Sequence, residues 1–121
     1  MDIAIHSNLL SQPDFAQDWQ FLTHSSDFKL NNVPNTGQVE QYVNGKQLAC
    51  PMPLLKLKMA LRQMAIGNYV YVTATDPNSQ KDIGAFCLHA GHTVLASLVQ
   101  PADQGNDNKD TIFHLLITKN C

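Results

Sequence analysis

The run from Tyr69 to Thr75 constrains the fold more than any other part of this chain, because it reads YVYVTAT. Such β-branched and aromatic side chains are typical of a β-strand. The apolar residues on both sides of it recur every three or four positions, as on one face of an amphipathic helix: Leu54, Leu57, Leu61 and Met64 before the strand, and Ile83, Phe86, Cys87 and Ala90 after it. A strand between two helices predicts crossover connections that return the chain to one sheet.

A first strand is predicted at residues 38–43, ahead of the first helix. Because side chains alternate along a strand, Val39, Gln41 and Val43 are expected on one side of it. The following Asn44-Gly45-Lys46 is expected to form a turn.

The helix ends also have sequence signals. Gly67 and Gly91 are expected to stop the two helices, since glycine is common just after a helix. Ser79, with Asp82 three residues later, resembles a capping box at the start of the second helix.

Two more strands follow, His92 to Val99 and Thr111 to Thr118, joined by a polar loop from Pro101 to Asp110. They are expected to pair antiparallel. The predicted order is β-α-β-α-β-β. It defines an α+β fold, a two-layer α/β sandwich in which a four-stranded mixed sheet carries two helices on one face.

Residues 1–38 differ from the rest and are predicted to be an N-terminal extension, with residues 39–121 as the domain. The extension holds four aspartates against one lysine. Phe15, Trp19 and Leu22 have helical spacing and predict one short amphipathic helix. The stretch from Asn31 to Gly37 is predicted to be a linker.

Composition excludes several classes of protein. The formal net charge is −2, so direct nucleic-acid binding is not expected. No apolar run approaches the roughly 18 residues of a membrane span, and the N-terminal residues do not resemble a secretory signal. Three widely spaced cysteines do not form a disulfide framework, so a cytoplasmic location is expected.

Cys50 is the leading candidate for chemistry, because it lies between the first strand and the first helix in the sequence Cys50-Pro51-Met52-Pro53. Prolines are tolerated in a first helical turn and push the preceding residue toward extended geometry. A helix N-terminus favours the reactive thiolate, and Lys46, Lys56 and Lys58 can add positive potential. The alternative is a buried structural thiol at this junction.

The other chemical possibilities have weaker patterns. Cys87 shares the apolar face of the second helix and is predicted to be a core residue, while Cys121 is a terminal thiol. No metal-ligand spacing, second cysteine of a CxxC pair or local general base accompanies Cys50. No cofactor is implied. An activated thiol without any of these partners is suited to carrying a covalently bound chemical group.

The sequence resembles the TusA/SirA-like family of small sulfur-carrier proteins. The matching residues are LACPMPLLKLK at 48–58, Ala74-Thr75-Asp76-Pro77, Asp82-Ile83, Phe86-Cys87 and Gly91-His92. Asn44 and Gln47 stand where the family often has Asp and Gly. Met52 stands where the branch that serves tRNA thiolation often has Glu.

The resemblance implies that the chain is a sulfurtransferase-type carrier rather than a stand-alone enzyme. It also implies that this carrier holds sulfur as a persulfide on Cys50. The implied partners are a cysteine desulfurase, or another sulfur donor protein, and a downstream sulfur acceptor. The predicted supporting residues around Cys50 are Pro51, Met52, Pro53, Lys56, Lys58 and Asp76.

Two other functions remain open at this point. One is a non-catalytic binding or regulatory module with an RNA or protein partner, for which Lys58 and Arg62 could supply a basic helix face. The other is a thiol redox sensor that pairs Cys50 with Cys87 or Cys121.

Overall fold

The computed structural model describes residues 4–5, 9, 12–24, 37–49, 51–101 and 111–120. In chain order its elements are β1 (Ala4–Ile5), α1 (Pro13–His24), β2 (Gln38–Gly45), α2 (Met52–Arg62), β3 (Tyr69–Ala74), α3 (Ser79–Ala90), β4 (Thr93–Gln100) and β5 (Ile112–Thr118). The predicted order of elements after residue 38 is confirmed. Residues 31–36 of the predicted linker (31–37) and residues 102–110 of the predicted loop (101–110) lie outside the described residues.

The strands form one mixed sheet in the order β1-β2-β3-β5-β4. β3 is parallel to β2 and antiparallel to β5, and β4 pairs antiparallel with β5. The predicted α+β sandwich and the antiparallel last pair are therefore confirmed. The two-residue strand β1 adds a fifth member at the β2 edge, parallel to β2.

α2 and α3 cover one face of the sheet, as the apolar periodicity predicted. Their buried residues pack with inward-facing residues of β3 and β5 in one core cluster. Leu57 and Ile83 are fully buried there. Every residue of β3 is buried, because the opposite face of the sheet is covered as well.

α1 covers that opposite face. Its Phe15 and Leu22 pack with Tyr69, Tyr71 and Leu116 in a second core cluster. The helix predicted from the spacing of residues 15, 19 and 22 is present, but its position against the sheet was not predicted. The division of the chain into an extension and a domain stays a prediction.

A polar cluster lies between α1 and the sheet. The buried Asp18 carboxylate accepts hydrogen bonds from the Tyr42 hydroxyl at 2.6 Å and from Lys46 Nζ at 2.7 Å. Burial, and then the hydrogen bond to Asp18, raise the pKa of Tyr42. α1 is therefore joined to the end of β2 by an ion pair as well as by apolar packing.

His114 of β5 forms a second buried polar group on this face. Burial lowers the pKa of His114 to about 4, so its ring is neutral at pH 7. Its Nε2 lies 2.9 Å from Gln100 Oε1, and its Nδ1 is hydrogen-bonded to the Tyr71 hydroxyl. An amide oxygen can only accept, so Nε2 carries the proton and Nδ1 accepts from Tyr71.

The expectation that Val39, Gln41 and Val43 lie on one side of the first strand was wrong. The pairing of β2 with β3 shifts register between Val39 and Gln41. Val39 consequently packs on the α1 side, whereas Val43 packs on the side of α2 and α3. An extra residue in a strand reverses the faces of the residues beyond it, and no simple period can reveal it.

Three local expectations were also wrong. β2 continues through Gly45, so the turn begins two residues later than predicted, at Lys46. Ser79 lies inside the first turn of α3, which has Asn78 at its cap position and no side-chain capping bond. α2 ends at Arg62 rather than at Gly67. Gly91 does end α3, as predicted, and it adopts a left-handed conformation.

Within the part of the chain that the structure describes, no helix combines the length and apolar character needed to cross a bilayer.

Candidate functional site

The site is built at one edge of the sheet. β2 and β3 are parallel, so their carboxyl ends meet there, and α2 and α3 both begin just beyond these ends. The positive ends of two helix dipoles therefore face the same edge. Cys50 itself lies outside the described residues, but its chain neighbours Ala49 and Pro51 are described and both are exposed.

Hydrogen bonds fix the backbone that leads into position 50. The Leu48 N–H donates to Gly45 O at 3.2 Å, and the Gln47 N–H donates to Thr75 Oγ1 at 2.9 Å. The second bond joins the loop after β2 to the loop after β3. The Met52 N–H donates to Ala49 O at 2.9 Å, so the described residues on the two sides of position 50 are held close together.

The two prolines begin α2 in different ways. Pro51 occupies the cap position with φ −99°, and its carbonyl accepts the Leu55 N–H at 3.0 Å. Pro53 is buried in the first turn. The cap makes no side-chain hydrogen bond, and no acidic residue lies in the first turn. No carboxylate in its own first turn therefore reduces the positive potential of this helix end.

Gly45 sets the distance between β2 and the first turn of α2. A Cβ at this position would lie 2.8 Å from Thr73 O and 3.0 Å from Pro53 Cβ. Both distances are too short for ordinary packing, so β2 and Pro53 can approach this closely only because residue 45 has no side chain. Sequence reasoning assigned this glycine to a turn and missed its packing role.

Gly45→Ala is expected to destabilise the fold by about 1–3 kcal/mol, the usual cost of overpacking, and to displace the start of α2. Urea unfolding of the variant measures the loss. The matched control is Gly84→Ala in α3, where an added Cβ meets nothing within 4 Å. That variant is expected to gain roughly 0.5–1 kcal/mol from helix propensity. Equal effects of the two variants would contradict the packing argument.

The predicted supporting residues do not all converge. Met52 is 44% exposed beside the cysteine position. Lys56 lies in the groove between α2 and β2, near Gln41 and Met59. Lys58 lies on another side of α2, with its Nζ 5.2 Å from the centroid of the Phe86 ring. Their roles in the site stay predictions.

Asp76 lies at the same edge, in the loop between β3 and α3. Its Oδ1 accepts the Asn78 N–H at 2.8 Å and its carbonyl accepts the Ser79 N–H at 3.0 Å. Asp76 thus shapes the start of α3. Lys46, in contrast, is drawn toward α1 by its ion pair with Asp18, so its charge is already matched.

The other two cysteines differ from Cys50. Cys87 is fully buried in the core under α3, as predicted, and burial raises the pKa of its thiol to about 11. A thiol with this pKa is almost entirely protonated at pH 7 and reacts slowly. Cys121 lies outside the described residues.

Gln47 and Thr75 were not predicted as residues of the site, although their hydrogen bond joins the two loops there. Gln47 adopts φ +67°, which makes it the one non-glycine residue with positive φ in the described ranges. Glycine adopts this conformation freely. The signal was present, because the TusA/SirA-like pattern often has glycine at this place.

Comparison with known proteins agrees with this geometry. The sequence model of the family described as "Sulfurtransferase TusA" matches residues 41–119. The chain belongs to the TusA family. The matched region begins inside β2 and ends just after β5, so it contains the CPxP motif and both helices beside it, whereas α1 precedes it.

A curated relative and a solved structure give the same result. The chain is 35% identical over 80 residues to the "Sulfur carrier protein TusA" of Allochromatium vinosum. These 80 aligned residues cover 66% of this chain and 93% of that protein. The crystal structure of a SirA-like protein from Desulfitobacterium hafniense superposes with a TM-score of 0.51 at 18% identity, covering 68% of this chain and all of that one. The second likeness concerns the fold alone.

Proposed function

We propose that this protein is a sulfur carrier, which accepts sulfur as a persulfide on Cys50 and passes it to an acceptor protein or enzyme. The observation that carries the proposal is the place of the CPxP motif. In this member of the TusA family, Pro51 of the motif occupies the cap position of α2, and Met52 and Pro53 lie in the first turn of that helix.

The surroundings of position 50 support a reactive sulfur anion there. The start of α2 supplies a positive dipole end, and no acidic residue in its first turn opposes it. A helix N-terminus lowers a thiol pKa and stabilises bound anions. The exposure of Ala49 and Pro51 supports access by a partner protein.

The reaction needs no general base and no cofactor in this chain. The Cys50 thiolate attacks the outer sulfur of the donor's persulfide, so a new S–S bond forms on Cys50. The donor's S–S bond breaks and its cysteine leaves as a thiolate. An acceptor thiolate then attacks the outer sulfur on Cys50, and Cys50 leaves as a thiolate. Neither exchange requires an outside oxidant or reductant.

The supporting residues have distinct proposed roles. Pro51 and Pro53 hold the start of α2, and Met52 offers exposed apolar surface beside the sulfur. Lys56, Lys58 and Asp76 present charge to partner proteins at and beyond this edge. The proposed donor is a cysteine desulfurase or a similar sulfur donor protein, and the proposed location is the cytoplasm. The neutral Met52 favours a pathway other than tRNA thiolation.

Site-specific loading tests the proposal. The full chain is incubated with a cysteine desulfurase and cysteine, alkylated, digested and mapped by mass spectrometry. The expected result is one additional sulfur on the peptide that contains Cys50, removed by dithiothreitol. Loading confined to Cys121, or no loading by any of several donor proteins, would contradict the proposed role of Cys50.

A further inference from the structure

A second candidate site lies between the later parts of α2 and α3, toward the helix ends opposite the CPxP motif. It is a cleft of about 380 Å³, within the range of small-molecule sites. Its lining residues are Lys58, Leu61, Arg62, Phe86, His92 and Lys119. Arg62 is the last residue of α2, while His92 and Lys119 follow the ends of α3 and β5.

This cleft concentrates positive charge in a protein whose formal net charge is −2. Six of the chain's lysine and arginine residues are in the described part, and three of these six line the cleft: Lys58, Arg62 and Lys119. Among the residues that the structure describes, no aspartate or glutamate lines it. Among the described residues, none of the three has a carboxylate oxygen within 4.0 Å, since the ion pair found there joins Lys46 to Asp18.

Neighbouring groups already interact with two of the three cations. Lys119 Nζ donates to the Met64 carbonyl at 2.9 Å, and Lys58 lies over the Phe86 ring. Cations also complement the partial negative charge at a helix C-terminus, which is about half an elementary charge. Three full positive charges are more than is required to balance this partial negative charge. Within the described residues the Arg62 guanidinium makes no hydrogen bond or ion pair, and the residue is exposed.

The aromatic residues add a wall and a further donor. The ring centroids of Phe86 and His92 are 6.0 Å apart. The Asn120 N–H donates to His92 Nδ1 at 3.2 Å, so in the neutral ring the proton is on Nε2. The cleft thus combines a free guanidinium, two positioned ammonium groups, an imidazole N–H and an aromatic surface.

We propose that this cleft binds a nucleoside polyphosphate. Arginine binds phosphate oxygens through two parallel hydrogen bonds, and lysine adds compact charge. Arg62 is the main phosphate contact, and Lys58 and Lys119 neutralise the remaining phosphate charge. The wall formed by the Phe86 and His92 rings faces the nucleoside that is attached to the phosphates. The proposal does not depend on sulfur chemistry at Cys50, because Arg62, His92 and Lys119 lie toward the end of α2 opposite the CPxP motif. Lys58, in the middle of α2, is the one residue proposed for both sites.

Binding of ATP to the full chain tests the proposal. Calorimetry at low salt is expected to show one ATP-binding site. Tripolyphosphate is expected to compete with ATP for this site, and adenosine is expected to leave ATP binding unchanged. Arg62→Gln is expected to weaken ATP binding by roughly tenfold or more, since the variant loses the charge-assisted contact with the phosphate oxygens. The matched control is Lys81→Gln, which removes the same charge from an exposed position in the first turn of α3 and is expected to bind like the wild type.

Several outcomes would overturn the proposal. Absence of ATP binding at low salt would do so directly. Equal weakening by Arg62→Gln and Lys81→Gln would show a general charge effect rather than a site. Binding of a short RNA without binding of ATP would assign the basic surface to a nucleic acid instead of a small ligand.

Discussion

Cys50→Ser is expected to lose sulfur loading completely, because a serine hydroxyl cannot form a persulfide. Cys87→Ser is expected to load like the wild type wherever it folds. Cys87 is fully buried, and burial raises the pKa of its thiol to about 11, so it supplies very little thiolate at neutral pH. The two variants separate a reactive cysteine from a core cysteine within one chain.

Intact mass after incubation with the desulfurase and cysteine measures the loading. Alkylation by iodoacetamide at pH 7 gives a second readout that needs no partner. Fast modification is expected in the wild type and in Cys87→Ser, and it is expected to be lost in Cys50→Ser. If Cys50→Ser still accepts sulfur at the wild-type level, the carrier role belongs to another residue. If the wild type loads sulfur but Cys50 alkylates slowly, the argument from the helix dipole is wrong while the carrier role stands.

Phe15→Ala is expected to cost about 3–5 kcal/mol, as truncations of fully buried phenylalanines do. Phe15 is 1% exposed, stacks on Trp19 and meets the rings of Tyr42 and Tyr71 edge to face. A loss of this size is a large part of the roughly 5–15 kcal/mol that stabilises a domain. The change leaves residues 41–119, which match the family, untouched.

Urea unfolding measures this loss, with Gln17→Ala as the control because Gln17 is exposed on the same helix. The control is expected to stay within about 0.5 kcal/mol of the wild type. Should Phe15→Ala also fall within that range, α1 would not be packed on the sheet in solution. Trp19 fluorescence gives an independent readout, since Trp19 lies against Phe15 and Tyr71.

Local patterns were sufficient for most of the fold. The β-branched and aromatic composition of residues 69–75 and the helical spacing of Leu57, Leu61, Ile83 and Cys87 placed the central strand and both helices correctly. Each of these signals depends on neighbours in sequence. Glycine after α3 was also predictable, because Gly91 adopts a left-handed conformation that other residues avoid.

The features that were missed depend on distant contacts. A helical pattern in α1 shows which side is apolar, but it cannot show that Tyr69, Tyr71 and Leu116 lie beneath it. The register shift near Val39 adds a residue that alternation cannot detect.

The same limit applies at the candidate site. Cys50 and its prolines were identified from a contiguous motif. The packing of Gly45 on Pro53 and the hydrogen bond from Gln47 to Thr75 join separate segments. The lining of the basic cleft likewise combines Arg62, His92 and Lys119, which are far apart in sequence.

The position of β3 at the centre of the sheet has a consequence for how the protein is made. One of its partners is β5, and Tyr69 pairs with Thr118, which is 49 positions later. Such distant pairings slow folding. During synthesis β3 cannot complete its pairing before residues 112–118 have left the ribosome. Until then one edge of this apolar strand has no partner, so a nascent chain that lacks β5 is expected to be prone to aggregation.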